Sequence, residues 1–307
     1  MRQHINQCIM KIVVTGSLGH IGRPLTKELL AAGHKVTVIS STPERKSEIE
    51  GLGATAAIGS IADKYFLTRT FTGADVVYTM LPPGDYRDQQ LDLTAQVEQF
   101  MRNYSQAIAA SDIKRVIHLS SVGAHLSSGN GLLQIHYIAE NILKAMPETV
   151  HVSFMRPTGF YYNLFAYIGM IKSQGVMGAN FGGDDVSIMV APEDIATAIA
   201  ETIKNPPAAS RSVRYIASEE TTCQKIAGTL GGEIGKPDLQ WWLLPGEQVL
   251  QGAISMGMNP KIAAGLVEMY EGIHSGLIYQ DYFQNRPVLG KIKVKDFAKE
   301  FAAVYQK

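Results

Sequence analysis

The stretch K-I-V-V-T-G-S-L-G-H-I-G, Lys11 to Gly22, decides the fold of this chain. A short β-branched, apolar run enters three glycines spaced G-x-x-G-x-x-G and continues into the helical pattern Arg23–Ala32. Gly33 ends that pattern, and a second apolar run, Lys35–Ile39, follows. The first glycine permits a tight turn out of the strand, the second close approach of backbone N–H groups to a ligand, and the third helix packing on the sheet. The positive end of the helix dipole and its unpaired amides point at the same spot, which suits a pyrophosphate. A glycine turn that merely links two elements would share the triplet but not this strand–turn–helix–strand context. Gly16, Ser17, Gly19, His20, Ile21 and Gly22 are therefore expected to hold the phosphates of a dinucleotide.

The end of the second strand speaks to which dinucleotide. The acidic residue that would bind an adenosine 2′-hydroxyl about 20 residues after the glycines is absent. In its place stand Ser40, Ser41 and Thr42, followed by Arg45 and Lys46. Small hydroxyls with a guanidinium suit a 2′-phosphate, which arginine binds through two parallel hydrogen bonds. The alternative is that Arg45 and Lys46 are solvated helix charges. With Thr42 as N-cap and Pro43 as first helical residue, both cations sit in a first turn that the dipole disfavours. NADP(H) is expected over NAD(H), with Arg45 on the phosphate.

Beyond this unit the alternation continues. Strands are predicted at Ile12–Thr15, Val36–Ile39, Thr55–Ile58, Val76–Met80, Val116–Ser120 and Val150–Met155. Helices are predicted at Pro24–Ala32, Pro43–Gly51, Asp63–Phe71, Asp88–Ala110 and Leu132–Ala145. Such alternation implies an α/β fold, a doubly wound parallel sheet with right-handed crossovers. Ligands of such sheets bind beyond the carboxyl ends of the strands. That places Leu81, Pro82 and Pro83, then Ser120, Ser121 and Val122, then Pro157, Thr158, Gly159 and Phe160 at the expected cofactor. After Arg156 the regularity lapses. Gly159–Gly178 is crowded with aromatics and methionine, either core or a wall of a substrate pocket. Val190–Ile203 is an amphipathic helix, Ser212–Ala217 a strand, and Trp241–Pro245 an apolar strand or turn. The expected organisation is a Rossmann domain over 1–157, completed by about 185–217 and a terminal helix at 291–307 docked on it. Residues 158–184 and 218–290 would form a small, mostly helical substrate lobe.

Composition narrows the class. The chain has 307 residues, 46% of them hydrophobic, enough for one large core or a core with an appended lobe. Lys plus Arg and Asp plus Glu both number 28, and no basic block occurs, which argues against nucleic acid as a partner. Cys8 and Cys223 have no metal-ligand spacing and form no disulfide framework, as expected of a reducing cytoplasmic setting. Residues 1–10 lack the apolar core of a secretory signal, and no run reaches the length of a membrane span. A cytoplasmic protein with a small-molecule substrate is the expectation, with oligomerisation left open.

These features resemble the NmrA-like branch of the atypical short-chain dehydrogenase/reductases. The resemblance rests on T-G-S-L-G-H-I-G, Val76–Pro83, Arg115–Ala124, F-M-R-P-T-G-F-Y-Y-N (Phe154–Asn163), A-P-E-D-I-A (Ala191–Ala196) and Arg286–Ala298, and spans nearly the whole chain. It implies an NADP(H) site, and either a quinone-reductase-like enzyme or an NADP-binding redox sensor. Active dehydrogenases of the superfamily pair a Ser or Thr after the fifth strand with Tyr-x-x-x-Lys on the next helix. This chain supplies Ser120 and Ser121 but reads Q-I-H-Y-I-A-E-N-I-L there: Tyr137 meets Asn141, and Lys144 falls too late. The better match to quinone-reductase-like members is His136 with Glu140. Their i, i+4 spacing shares one helical face, so Glu140 could orient or charge the imidazole. His136 then either donates a proton or simply caps the pocket; the sequence leaves both open. His118 reads as a core residue and His125 as a loop residue able to reach the pocket. Asp184 and Asp185 read as turn residues. The expected catalytic set is His136, Glu140 and Ser120, with His136 and Ser120 also touching cofactor. The expected function is NADPH-dependent reduction of a quinone or similar enone-like compound. A redox sensor is the alternative, and a nucleotide-sugar epimerase or dehydratase the weaker one.

Overall fold

The computed structural model describes residues 9–307, so Cys8 and the other residues of the first eight lie outside the described residues. Strands run at β1 Lys11–Val14, β2 Lys35–Ser40, β3 Thr55–Ile58, β4 Val76–Met80, β5 Arg115–Leu119 and β6 His151–Pro157. They continue at β7 Gly159–Phe160, β8 Met177–Ala179, β9 Val186–Val190, β10 Arg211–Ile216, β11 Glu219–Thr222 and β12 Trp241–Leu243. Helices are α1 Gly22–Ala31, α2 Lys46–Gly51, α3 Lys64–Phe71, α4 Leu93–Ala110, α5 Gln134–Lys144 and α6 Ile168–Gln174. Then come α7 Pro192–Lys204, α8 Cys223–Glu233, α9 Gly246–Ser255, α10 Pro260–His274, α11 Gln280–Gln284 and α12 Val294–Tyr305.

Seven strands form one parallel sheet in the order β10-β6-β5-β4-β1-β2-β3. Helices cover both faces, so central strands are apolar on both sides rather than alternating. Ile12, Val14 and Tyr78 pack with Leu25 and Ile199 under α1 and α7. Val13, Val77, Val116 and Phe154 pack with Val97, Met101 and Leu143 under α4 and α5. Because β1 pairs with β2 on one side and β4 on the other, the chain reverses direction across the sheet at β1. The crevice beyond the carboxyl ends at that point is where such sheets bind ligands. The expected doubly wound α/β sheet is the observed one.

Several boundaries shift for local reasons. The helix expected at Pro43–Gly51 is a 3₁₀ turn over Pro43–Arg45 running into α2, and Thr42 makes no side-chain cap. The helix expected from Asp88 begins only at Leu93, where the Asp92 carboxylate accepts the Ala95 N–H at 2.9 Å. Val190 closes strand β9, and the helix that follows starts at Pro192.

The lobe holds more β structure than expected. A three-stranded sheet, β11-β9-β7, and a parallel pair, β12-β8, lie outside the main sheet. The terminal helix α12 does not dock on the large sheet. Its Val294, Phe297, Ala298 and Phe301 share a core with Tyr161, Leu164, Ile171, Met177 and Ile226 of the lobe. Aromatic pairing explains this: Phe297 stacks on Tyr161 with centroids 5.5 Å apart, and Phe301 on Phe165 at 5.9 Å. Asp194 of α7 fixes the approach to α12, accepting from Ser218 Oγ at 2.6 Å and from the Lys291 and Ile292 amides at 3.1 Å.

Candidate active site

The expected residues gather beyond the carboxyl ends of β1, β2, β4, β5 and β6. A concavity of about 350 Å³ lies at the opposite, amino end, between Lys114, Val116, His151 and Pro207, and contains none of them. The strand-end crevice is the better candidate site, because there helix amino ends and strand-end loops converge.

The glycine loop divides its labour. A Cβ on Gly22 would collide with the Ser17 carbonyl, so Gly22 is demanded by the protein's own packing. A Cβ on Gly19 would meet only the Gly16 carbonyl, at 3.3 Å, and otherwise stand in open space. Gly19 thus leaves a cradle that the folded chain does not fill. No side chain caps the amino end of α1 at Ile21, although the Arg23 amide turns back to the Gly19 carbonyl at 3.1 Å, so that end can still face an anion. Gly16, Ser17, Gly19, His20, Ile21 and Gly22 would hold a pyrophosphate here. Ser17 adopts the left-handed conformation at φ 57°, a cost of the kind that clusters at functional sites.

Ser17 donates to Ser40 Oγ at 3.0 Å, joining the glycine loop to the end of β2. The Thr42 amide also donates to Ser40 Oγ, at 3.2 Å. Beside these hydroxyls and exposed Ser41, Arg45 does not stand free. It donates to Glu48 at 2.9 Å, and Arg23 from the first turn of α1 binds the same carboxylate. Arg23 was not among the expected residues; its place directly after the third glycine was the available signal.

On the other side of the crevice Leu81 is buried, while Pro82 and Pro83 are exposed along the rim. The Val122 amide donates to the Pro157 carbonyl at 2.9 Å, tying the loop after β5 to that after β6. Ser121 is half-buried in the first of these loops, while Thr158 is buried in the second. Gly159 and Phe160 form β7, paired with β9. Phe160 stacks on Tyr162 at 5.0 Å, and Tyr162 on His20 at 4.3 Å, so an aromatic ladder reaches from the lobe to the glycine loop. Tyr161, its neighbour, points the other way into the lobe core.

The three residues expected to be catalytic, His136, Glu140 and Ser120, are arranged differently from expectation. Glu140 makes no hydrogen bond to His136. Its fully buried carboxylate receives Arg156 in a fork, Nε at 2.8 Å and a terminal nitrogen at 2.7 Å. It also accepts from Lys144 at 2.9 Å and from Ser120 Oγ at 2.6 Å. The reason is positional: Arg156, on β6, projects across the strand ends and neutralises the buried acid more directly than an imidazole on the same helix. Burial alone would raise the Glu140 carboxyl, but the Arg156 fork and Lys144 hold it at about 2. Arg156 also donates to Tyr215 at 3.0 Å and to Asp281 of α11 at 3.1 Å, linking the sheet to the lobe. Arg156 lies in the Phe154–Asn163 stretch that carries the family resemblance but was given no role there, and Asp281 carries no motif signal.

His136 is thereby left without its charge partner. Its Nδ1 is buried with no hydrogen bond, and burial brings the imidazole down to about 4, against the pull of Glu140. His118 shares the same face: Thr79 Oγ1 sits 2.9 Å from its Nδ1, its Nε2 has no partner, and burial lowers it to about 3. His125 turns a buried, unpartnered Nδ1 inward from its loop, and burial lowers it too. Burial pushes the Tyr162 phenol up to about 12. The His136 imidazole and the Tyr162 phenol are thus held neutral, with a buried ion-pair network behind Ser120. Asp185 behaves as a turn residue, accepting the Gly182 amide at 2.8 Å, and adds a contact to His274 at 2.7 Å. Among the described residues no cluster could hold a metal ion, and no helix is long and apolar enough to cross a membrane.

Comparison with known proteins bears on the fold that carries these residues. An NAD(P)H azoreductase of Xenophilus azovorans is 22% identical over 260 residues, covering 84% of this chain and 86% of that one. The triphenylmethane reductase of Citrobacter sp., solved with NADP(H), superposes with a TM-score of 0.76 at 17% identity, over 95% of this chain and 99% of that one. The NADPH-dependent quinone oxidoreductase of Escherichia coli, solved with NADPH, gives 0.71 at 17% identity, over 94% and 99%. At such identities the solved structures share the fold, as the NmrA-like resemblance implied. The sequence model of the family described as NAD(P)H-binding matches residues 16–206, from the first glycine of the cradle through α7. On that match, and on the cradle it contains, the chain belongs to the NAD(P)H-binding family.

Proposed function

We propose that this chain is an NADPH-dependent reductase of a quinone or another small enone-like acceptor. The observation that carries the reading is the trio beyond β5 and α5: Ser120 tied to Glu140, Glu140 spent on Arg156, and His136 held neutral. Alcohol oxidation by the dehydrogenase route needs an activated phenol, which this arrangement does not supply. Reduction of a conjugated acceptor depends chiefly on positioning beside the hydride source.

The residues that would hold the cofactor are the glycine loop for the pyrophosphate and Ser40, Ser41, Thr42 and Arg45 for the adenosine end. Leu81–Pro83, Ser120–Val122, His136 and Pro157–Phe160 would flank the nicotinamide end. The bound cofactor supplies a hydride. Ser120, with its proton engaged by Glu140, offers lone pairs toward the crevice and helps fix orientation there. Phe160 and Tyr162 exclude water from the side of the lobe. Neutral His136 lines the pocket rather than acting as an imidazolium acid, so the proton balancing the reduced acceptor comes from solvent.

The relatives support the reading, since those named above are by description two reductases and an NADPH-dependent quinone oxidoreductase. The test is rapid-mixing absorbance of the nicotinamide band with NADPH and a panel of quinones. Oxidation that saturates with at least one quinone is expected. Flat traces across the panel, with NADPH still bound, would overturn the reductase reading in favour of a redox sensor.

A further inference from the structure

Glu48 is the carboxylate that both Arg23 and Arg45 contact, and Arg45 lies in the turn that directly follows Ser40, Ser41 and Thr42 at the end of β2. The two guanidinia arrive from different elements, the first turn of α1 and the turn ahead of α2. Two like charges converge on this spot and require a shared counterion. Neighbouring Lys46 is already engaged with Glu50 at 4.0 Å, and Ser40 is held by Ser17 and the Thr42 amide. The carboxylate holds the two guanidinia that an adenosine 2′-phosphate would take, if the cofactor reading above is right.

We propose that Glu48 is a specificity-determining residue that holds the arginines of the 2′-phosphate and must yield them when NADPH binds. The argument is one of charge. All three side chains are between a third and a half exposed, so their ion pairs are weak and can be displaced. A phosphomonoester carries between one and two negative charges and matches a guanidinium fork, so it competes with a single carboxylate. The ribose hydroxyl of NADH carries none, leaves Glu48 on its arginines, and gains nothing from them. Glu48 therefore lowers the affinity for NADPH below what the two arginines could deliver, while leaving NADH untouched. The gap between the two cofactors is kept narrower than the arginine pair alone would make it.

The inference rests on the assignment of NADPH, and the experiment separates the two. Titrate the wild type, Glu48→Gln, Arg45→Ala and Arg23→Ala with NADPH, NADH and adenosine 2′,5′-bisphosphate, following binding calorimetrically. Glu48→Gln is expected to tighten NADPH and the bisphosphate by about three- to tenfold, the size of an exposed charge contact. NADH should stay within twofold, and each arginine variant should weaken NADPH and the bisphosphate alone. Unchanged NADPH affinity in Glu48→Gln, with the arginine variants weakened, overturns the role of Glu48 and leaves the phosphate site standing. Selective loss of NADH affinity in Glu48→Gln also overturns it, because Glu48 would then hold the ribose hydroxyl. Arginine variants that leave NADPH unmoved remove the phosphate site, and this proposal with it.

Discussion

Gly19 and Gly22 stand three residues apart in one loop, yet a side chain at each should fail differently. Gly22→Ala drives its methyl onto the Ser17 carbonyl and should lower the melting temperature. Gly19→Val points into open space and should melt nearly as the wild type does, while NADPH affinity falls by about tenfold or more, over 1.4 kcal/mol. Calorimetric melting with cofactor titration of both variants checks the contrast. Loss of stability in Gly19→Val would show that the cradle is needed by the fold itself. The residues of this cradle were legible because strand, glycines and helix are contiguous. Arg156 was not, since its partners Glu140, Tyr215 and Asp281 lie 16, 59 and 125 residues away. The i, i+4 spacing of His136 and Glu140 was read correctly as one face of a helix, but spacing cannot say which neighbour claims a buried carboxylate. Arg156→Met should strand that carboxylate and cost about 3–5 kcal/mol of stability in chemical denaturation. The double variant with Glu140→Gln should recover most of it. A double variant no better than the single would mean that the fork serves packing rather than charge.

The elements of the main sheet followed directly from sequence, because parallel strands covered on both faces are runs of Val, Ile and Leu bounded by helical patterns. Errors fell where side chains compete for the backbone. The Asp92 cap delays α4, and the Thr42 amide takes up Ser40 Oγ where a helix was expected to start. The lobe was harder, since β7, β8 and β12 have only two or three residues each and no period to detect. The terminal helix was recognised as a helix but assigned to the wrong partner. Its apolar stripe is legible, whereas the surface it covers depends on the Tyr161–Tyr167 turn folding beneath it. Phe301→Ala should accordingly destabilise the lobe by about 3–5 kcal/mol, as large buried aromatics do. Near-ultraviolet dichroism should report loss of the Phe165 and Phe297 packing. A variant that melts like the wild type would show α12 to be peripheral.

Across the whole molecule, buried titratable groups make stability lean one way with pH. His118 and His136 fold as neutral imidazoles, depressed to about 3 and about 4, whereas free histidine titrates near 6.5. Between those values the unfolded chain binds more protons, so stability falls as pH falls below about 6.5. Glu140, depressed to about 2, adds a second loss that begins near the ordinary carboxylate value of about 4.3. Thermal melts should therefore be level above pH 7 and decline in two stages toward acid. His136→Leu should make the first stage shallower, with His118 carrying the remainder, and an unchanged slope would place the sensitivity elsewhere. The open sheet carries a further consequence at its β10 border. Open borders of sheets are templates on which a foreign strand can add. The outer half of β10 bears Arg211 and Arg214, the first reaching the Val150 carbonyl and the second Glu201. An incoming strand would have to desolvate two guanidinia and forfeit these contacts. Charge thus works against strand addition at the β10 border, and replacing these two arginines with apolar residues would remove that obstacle.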